Sequence, residues 1–459
     1  MKKVVIQGLG FVGAAMATAI ANVKNEMNNN IFDVIGIDAP TNQGKDRIDK
    51  INHGIFPFKV NDMELINKLQ QCVKSGNLKA TTKKKYFKYA DVIIICINCD
   101  LYKKNDNAVI GLDLFINGVK EVIKYISKDT LIIIETTVPP GTCEKIIYPL
   151  ILKTLSNRKI EPKSVYLAHS YERVMPGENY INSIINYWHV YAGINIESAN
   201  KCEEFLSKIV NINKYPLKRL QSTTASEIGK LLENSYRAIN IAFIEEWSRF
   251  AEDVSVDLYE IIDAIRMRPT HSNIRQPGFG VGGYCLTKDP LFAKIAAKQI
   301  FNLKGHKFPF SSLAIEVNSK MPLVTLDKIK RYYKGSIKNK KILLLGISYK
   351  KDVGDTRYSP SEIFFNEAKK LGAYITAHDP LVDYWQETGV NVSLKLPSMN
   401  EYDVAVFAVP HKVYSEIDFR LWVSDGHECL LFDANHVLSK KQIEDISSKC
   451  CHFLSIGKG

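Results

Sequence analysis

Hydrophobic residues are distributed along this chain in two ways. Short apolar runs recur near the start of the chain: Val4-Val5-Ile6 before Gly8, Val34 to Ile37 before Asp38, Val92 to Ile97, and Leu131 to Ile134. Continuous runs of this kind, separated by helical stretches, predict strands of a parallel sheet covered on both faces. Between the first two lies an Ala-rich helix from about Ala14 to Ala21. From Thr223 to Val254 the pattern becomes helical, with Ile228, Leu231, Leu232, Ile239, Ile241, Phe243 and Ile244 on an apolar stripe, and helix continues through Leu258 to Ile265. The stretch Gln276 to Gly283 is too rich in Gly and Pro for regular structure and must be a loop. After Met321-Pro322 and a basic connecting helix, strand-like runs return at Lys341 to Leu345, Ala373 to Ala377, Val404 to Val409 and Leu430 to Phe432. The fold class is therefore α/β: two Rossmann-like doubly wound parallel-sheet domains joined by a central helical domain with one long helix. The expected boundaries are 1–212, 213–322 and 323–459.

Composition narrows the class. With 459 residues, 46% hydrophobic and 24% charged, the chain has ordinary globular values and enough length for more than one core. No run reaches the roughly 18–20 apolar residues of a spanning helix. Lys2 and Lys3 ahead of an apolar stretch imitate a secretory leader, but Gly8, Gly10 and Gly13 interrupt it at the spacing of a dinucleotide loop, so a cytoplasmic protein is expected. The nine cysteines show no zinc-ligand spacing; reduced thiols and no metal are expected. A net charge of +12 is spread along the chain, and Lys83 to Lys85 read as a solvated helix end. This argues for an anionic small molecule, with no nucleic acid and no membrane as partner.

Three constellations carry chemistry. In Gly8-Leu9-Gly10-Phe11-Val12-Gly13, the first glycine permits the turn, the second lets backbone approach a pyrophosphate, and the third packs helix on strand. Asp38, at the end of the next strand, would accept the ribose hydroxyls and repel a 2′-phosphate, which favours NAD over NADP. In Gly282-Gly283-Tyr284-Cys285-Leu286-Thr287-Lys288-Asp289, a thiol follows glycines and a carboxylate lies one helical turn on. Cysteine is suited to capture an aldehyde and then hold a thioester. Lys230 and Asn234 are spaced i and i+4, with Glu227 on the same side; an ammonium and an amide together stabilise charge on a substrate oxygen.

Taken together these segments resemble the UDP-glucose/GDP-mannose dehydrogenase family over essentially the whole chain. The resemblance rests on Gly8 to Gly13, Glu135 to Thr142, Glu172 to Gly177, Glu227 to Asn234, Gly278 to Asp289 and Lys350 to Pro360. It implies that Cys285 is the nucleophile, that Lys230 and Asn234 stabilise the C6 oxyanion, and that Asp289 supports the lysine and the water. It further implies that Thr137 positions water or nicotinamide and that Glu172 serves the hydrolysis. Arg173, Phe279, Gly282 and Lys350, with Glu172, Lys230 and Asn234, would hold the nucleotide-sugar. Phe11, Val12, Cys99, Thr137 and Arg357 would join the glycines and Asp38 in contacting NAD. Segments 1–212 and 323–459 then become NAD-binding and UDP-sugar-binding, and the long helix the family's dimer-forming helix, implying a homodimer or higher homo-oligomer.

Departures from the family pattern bear on substrate. Pro176 replaces a second Glu typical of enzymes acting on UDP-glucose, and Glu-Arg-Val-Met-Pro-Gly resembles members acting on UDP-N-acetylhexosamines. Thr287 and Gly354 replace a common Pro and Asp, and Ile97-Asn98-Cys99-Asp100 replaces the usual turn. The expected activity is a four-electron oxidation of a sugar C6 alcohol to a uronate, with UDP-glucose and GDP-mannose as the alternative substrates. A two-electron hydroxyacid or 6-phosphogluconate type dehydrogenase does not account for Cys285 in its glycine loop. A basic nucleic-acid module would need aromatics interleaved with its basic cluster.

Overall fold

The computed structural model describes residues 1–104, 107–171, 173–174 and 177–459. They form two compact units: Met1–Glu233 with Leu291–Lys307, and Asn234–Pro290 with Phe308–Gly459.

The first unit is built on an eight-stranded sheet in the order Lys218–Arg219, Val190–Gly193, Tyr166–Tyr171, Leu131–Ile134, Val92–Ile95, Lys2–Gln7, Phe32–Ile37, Leu78–Thr81. Pairing is parallel except where Tyr166–Tyr171 meets Val190–Gly193 antiparallel. The central strands are buried on both faces, as their uninterrupted Val and Ile content requires. Helix Phe11–Ala21 packs nine small or apolar residues into one of the cores. Asn25 to Asn30 form the connection between helix and strand, closed by a bridge between Lys24 and Asn30. The second face is covered by Leu112–Ile123 and Tyr148–Asn157, and Phe292 and Ile295 from the later segment complete it.

The second unit centres on a five-stranded parallel sheet, in the order Tyr374–His378, Lys341–Leu345, Val404–Phe407, Cys429–Asp433, Cys451–Ser455. Helix Thr223–Asp253 begins in the first unit's segment and ends in the second's. Within the second unit its Ile241 packs on Val281, Leu286 and Met321, so the helix backs the cysteine loop.

Helix Pro309–Tyr332 runs through Pro322, with Met321 and Pro322 both buried. One expectation is corrected: not all thiols are reduced, because Cys429 and Cys451 face each other in register on adjacent strands and are joined in a disulfide. Among the described residues no helix is long and apolar enough to cross a membrane, and no group of His, Cys, Asp and Glu has the makings of a metal site.

Candidate active site

The glycine turn has the geometry that its spacing predicts. Gly8 stands at φ +95°, a left-handed value, and its N–H donates to Ile37 O at 2.8 Å. A Cβ on Gly13 would sit 1.8 Å from Gly8 O, whereas a Cβ on Gly10 would meet nothing within 4 Å. Gly13 thus serves helix-on-turn packing, and Gly10, the N-cap of helix Phe11–Ala21, leaves its flank open for a ligand. Asp38 accepts from Leu9 N and from Arg47 Nη1, both at 3.3 Å. The carboxylate thus lies beside the turn. Cys99 is fully buried in the core behind this sheet, away from solvent.

At the end of strand Leu131–Ile134 the chain passes through Thr137 to Pro139-Pro140-Gly141. This loop is held by Glu227, which is fully buried and accepts from Gly141 N at 2.6 Å and Cys143 N at 2.8 Å. Burial pushes the Glu227 carboxyl up to about 7 despite those two amides. One turn along the helix, Lys230 is 9% exposed. Beneath the same stretch His169 meets Ser226 Oγ through Nδ1 at 2.8 Å, and burial, assisted by the Lys230 charge, drives its pKa down to about 3. A neutral imidazole therefore stands beside a cationic lysine. Arg173 is engaged by Glu233 and by Trp188 O, the latter at 2.7 Å. Glu172 lies outside the described residues.

In the second unit the cysteine loop comes back on itself. Gly283 adopts φ +84°, and a Cβ on Gly282 would lie 2.7 Å from Tyr349 Cβ, so bulk is excluded at both glycines. Cys285 is exposed. Its carbonyl accepts from Asp289 N at 2.9 Å, which places the carboxylate one turn beyond the thiol, as its spacing predicts. Asp289 is fully buried; its Oδ2 accepts from Asn234 Nδ2 at 2.8 Å and its Oδ1 from Lys288 Nζ at 2.8 Å. A carboxylate only accepts, so this bond fixes which way the Asn234 amide lies. Lys288, 4% exposed at its side chain, is a member that sequence reasoning missed; its position next to Asp289 was the available signal.

Beyond the loop, a cavity of about 210 Å³ is lined by Phe279, Gly280, Tyr349, Lys350, Pro410 and Asn435, among others. Phe279 is itself buried and packs on Phe364 at 5.7 Å. Burial, then the Arg237 charge, lowers the Lys350 pKa, and burial, then Arg237, lowers that of Arg275. Arg237, Arg275 and Lys350 thus concentrate positive charge, and Arg237 lies three residues beyond Asn234, a signal that the sequence reading passed over. Burial would lower the Arg357 guanidinium, but Asp355 grips it, with Nη2 to Oδ2 at 2.7 Å, and drives it further up from its ordinary range.

The segment after Gly346 is braced from behind. Asp379 Oδ2 accepts from Ile347 N at 3.0 Å, Ser348 N at 3.1 Å and Ser348 Oγ at 2.6 Å, and lies 3.2 Å from His411 Nε2.

Comparison with known proteins settles the lineage. Three models of the UDP-glucose/GDP-mannose dehydrogenase family match in chain order: the NAD binding domain over residues 2–210, the central domain over 224–320, and the UDP binding domain over 343–440. A UDP-N-acetyl-D-mannosamine dehydrogenase from Methanocaldococcus jannaschii is 31% identical over 449 residues, covering 96% of this chain and 93% of that protein. The chain belongs to the UDP-glucose/GDP-mannose dehydrogenase family. Within the family it also resembles the UDP-N-acetyl-D-mannosamine dehydrogenase of Campylobacter jejuni, at 28% identity over 90% of this chain and 97% of that protein. The structure of UDP-D-ManNAc dehydrogenase from Pyrococcus horikoshii superposes with a TM-score of 0.80 at 26% identity, over 100% of this chain and 99% of that one. Family membership makes this chain an oxidoreductase, an NAD-dependent nucleotide-sugar dehydrogenase.

Proposed function

We propose that this enzyme oxidises the C6 alcohol of a UDP-N-acetylhexosamine to the carboxylate, through a covalent adduct on Cys285. The observation that carries the reading is the pairing of Asp289 with both Asn234 and Lys288 directly behind an exposed thiol. The acetamido sugar is supported by Arg173 and Pro176 in their motif, and by relatives named for UDP-N-acetyl-D-mannosamine.

The first unit fits NAD. Gly8 and Gly13 make the turn, Gly10 leaves the approach clear, and Asp38 takes the ribose hydroxyls. Phe11, Val12, Thr137 and Arg357 complete the proposed cofactor contacts, and the fully buried Cys99 supports that side of the sheet from within the core. Bound NAD supplies the hydride acceptor, once in each of two successive oxidations. The remaining work falls to side chains. Lys230 and the fixed Asn234 amide stabilise the C6 oxygen as it becomes anionic, first in the alcohol and then in the adduct. The Cys285 thiolate bonds to the aldehyde carbon, giving a thiohemiacetal whose oxidation leaves a thioester. Water, oriented by Asp289, Thr137 and Glu172, adds to the thioester carbon. Carbon–sulfur cleavage then returns the thiol and releases the carboxylate. Phe279, Gly282 and Lys350 hold the nucleotide, and Arg237 and Arg275 supply charge complementary to its diphosphate. Segments 1–212, 213–322 and 323–459 divide these tasks.

The working enzyme is a cytoplasmic homodimer through the long helix. Phe243, Trp247, Phe250, Val254, Val256 and Ile261 line an apolar groove of about 380 Å³ and are all more than a third exposed.

Incubation of the purified protein with NAD and a panel of UDP- and GDP-sugars, with absorbance recording NADH, tests the function. Two NADH per UDP-N-acetylhexosamine are expected, and none from Cys285→Ser beyond the first oxidation. A yield of one NADH per sugar, or uronate from Cys285→Ser at the parent rate, refutes it.

A further inference from the structure

Tyr171 ends strand Tyr166–Tyr171 beneath the first turns of helix Thr223–Asp253 and is 3% exposed. Its Oη donates to Glu233 Oε1 at 3.2 Å. Its ring has two cations beside it: Lys230 Nζ lies 5.5 Å from the ring centroid, and the Arg173 guanidinium carbon also lies at 5.5 Å. Arg173 grips the same carboxylate as the phenol, donating Nε to Glu233 Oε2 at 3.2 Å and Nη2 to Glu233 Oε1, while Nη1 donates to Trp188 O at 2.7 Å. Close approach is possible because residue 229 is glycine; a Cβ there would stand 3.3 Å from Tyr171 Oη.

Each partner has a physical task. A lysine side chain is a flexible four-carbon stem, and its charge is useful to a reacting oxygen only when its position is restricted. A ring face attracts an ammonium without claiming any of its N–H donors, which a carboxylate would. Glu233 lies three residues after Lys230 on the helix, within reach of it by spacing alone. Both its oxygens are instead occupied by Arg173, and one also by the phenol. The Arg173–Glu233 pair therefore ties the end of the strand to the helix and sets the ring under the lysine.

We propose that Tyr171 is a positioning residue for Lys230, and that Arg173 and Glu233 together hold its ring in place. The inference rests on the reading of Lys230 as the oxyanion-stabilising group. Arg173 then acts on the reaction through Tyr171.

The test is a double-mutant cycle by steady-state kinetics with UDP-N-acetylmannosamine and NAD, using Tyr171→Phe, Tyr171→Leu, Lys230→Ala and the double variant Tyr171→Leu/Lys230→Ala. Tyr171→Phe keeps the ring and should hold kcat within about threefold of the parent, while Tyr171→Leu should lower kcat about tenfold or more. KM for NAD should stay within about twofold in both, because the cofactor turn is not touched. Tyr171→Leu should cost nothing further in the Lys230→Ala background, since its effect runs through that ammonium. An equal loss in Phe and Leu variants, or a full Tyr171→Leu penalty on top of Lys230→Ala, overturns the proposal. If Tyr171→Leu does not fold, Tyr171→Met, which also lacks an aromatic face, is read in its place. A parent enzyme that yields no NADH from any UDP-sugar overturns the functional reading itself, a result separate from the cycle.

Discussion

Replacing Asp289 by Asn changes one oxygen to an NH2 group and removes a charge, with almost no change in shape. In the parent, the fully buried carboxylate accepts from Lys288 Nζ and Asn234 Nδ2, each at 2.8 Å. An asparagine has one acceptor for these two donors, so its NH2 group must face either an ammonium or another amide NH2. Whichever way it turns, the buried Lys288 loses the charge of Asp289. Breaking a buried ion pair by removing one partner costs about 3–5 kcal/mol, and the ring of Tyr284, 4.2 Å from Lys288 Nζ, offsets about 1 kcal/mol of this. A net loss of about 3 kcal/mol at roughly 2–4 °C per kcal/mol places the midpoint of the second unit about 6–12 °C lower by calorimetry. Loss of the amide's fixed orientation removes one oxyanion donor, so kcat should fall by about a hundredfold. KM for NAD should not move, because the first unit's turn is remote in sequence and separately built. A melting temperature within about 2 °C of the parent, together with kcat within about threefold, would refute the claim that Asp289 is a buried anchor.

Two further substitutions probe the separate units. Asp38→Ala removes the carboxylate beside the glycine turn and releases Arg47, now 3.3 Å away, toward a 2′-phosphate. The preference for NAD over NADP, taken as a ratio of kcat/KM, should fall by about tenfold or more, and an unchanged ratio would contradict this role. For Asp379, burial alone would raise the carboxyl, but His411 and Ser348 hold it at about 2 against an ordinary 3.8. A depressed acid contributes stability that is complete above about pH 4 and is lost as the pH falls toward 2, here about 2 kcal/mol. Asp379→Asn should therefore lower stability at pH 7 by about that amount and flatten the acid limb of denaturation between about pH 4 and 2. An acid limb identical to the parent's would refute it.

What could be read beforehand depended on whether the signal was local. Strands Val92–Ile95 and Leu131–Ile134 declared themselves because a strand buried on both faces needs unbroken apolar residues. Strands Leu78–Thr81 and Cys451–Ser455 sit at sheet edges, alternate in burial or carry polar residues, and gave no such run. The long helix was plain from its stripe, yet Pro322 looked like a boundary, because packing that tolerates a proline inside a helix belongs to the tertiary structure. The disulfide was out of reach for the same reason. Cys429 and Cys451 become neighbours only through parallel register across a separation of 22 residues. At the site, Asp289 and Asn234 were picked out by spacing and family pattern, and the fold brings into contact two side chains that spacing alone did not require to meet. Lys288, Tyr171 and Glu233 went unremarked because their significance lies in what they touch.

The two α/β units diverge just after their first glycine. In one, helix Phe11–Ala21 starts almost at once after Gly8, and its amino end is the one proposed to face the pyrophosphate. In the other, after Gly346, no regular helix begins until Pro360, and the loop amides of Ile347 and Ser348 are already spoken for by Asp379. Among the described residues one glycine turn opens a helix in this way, so the proposed reaction, which needs two hydride acceptors, would use a single coenzyme berth twice. In that scheme spent coenzyme departs and its replacement arrives while the sugar is half oxidised. In the proposed reaction, retention through that interval, more than acceleration of either oxidation, is what a sulfur–carbon bond at Cys285 would provide: the aldehyde could not drift away while the berth is being refilled.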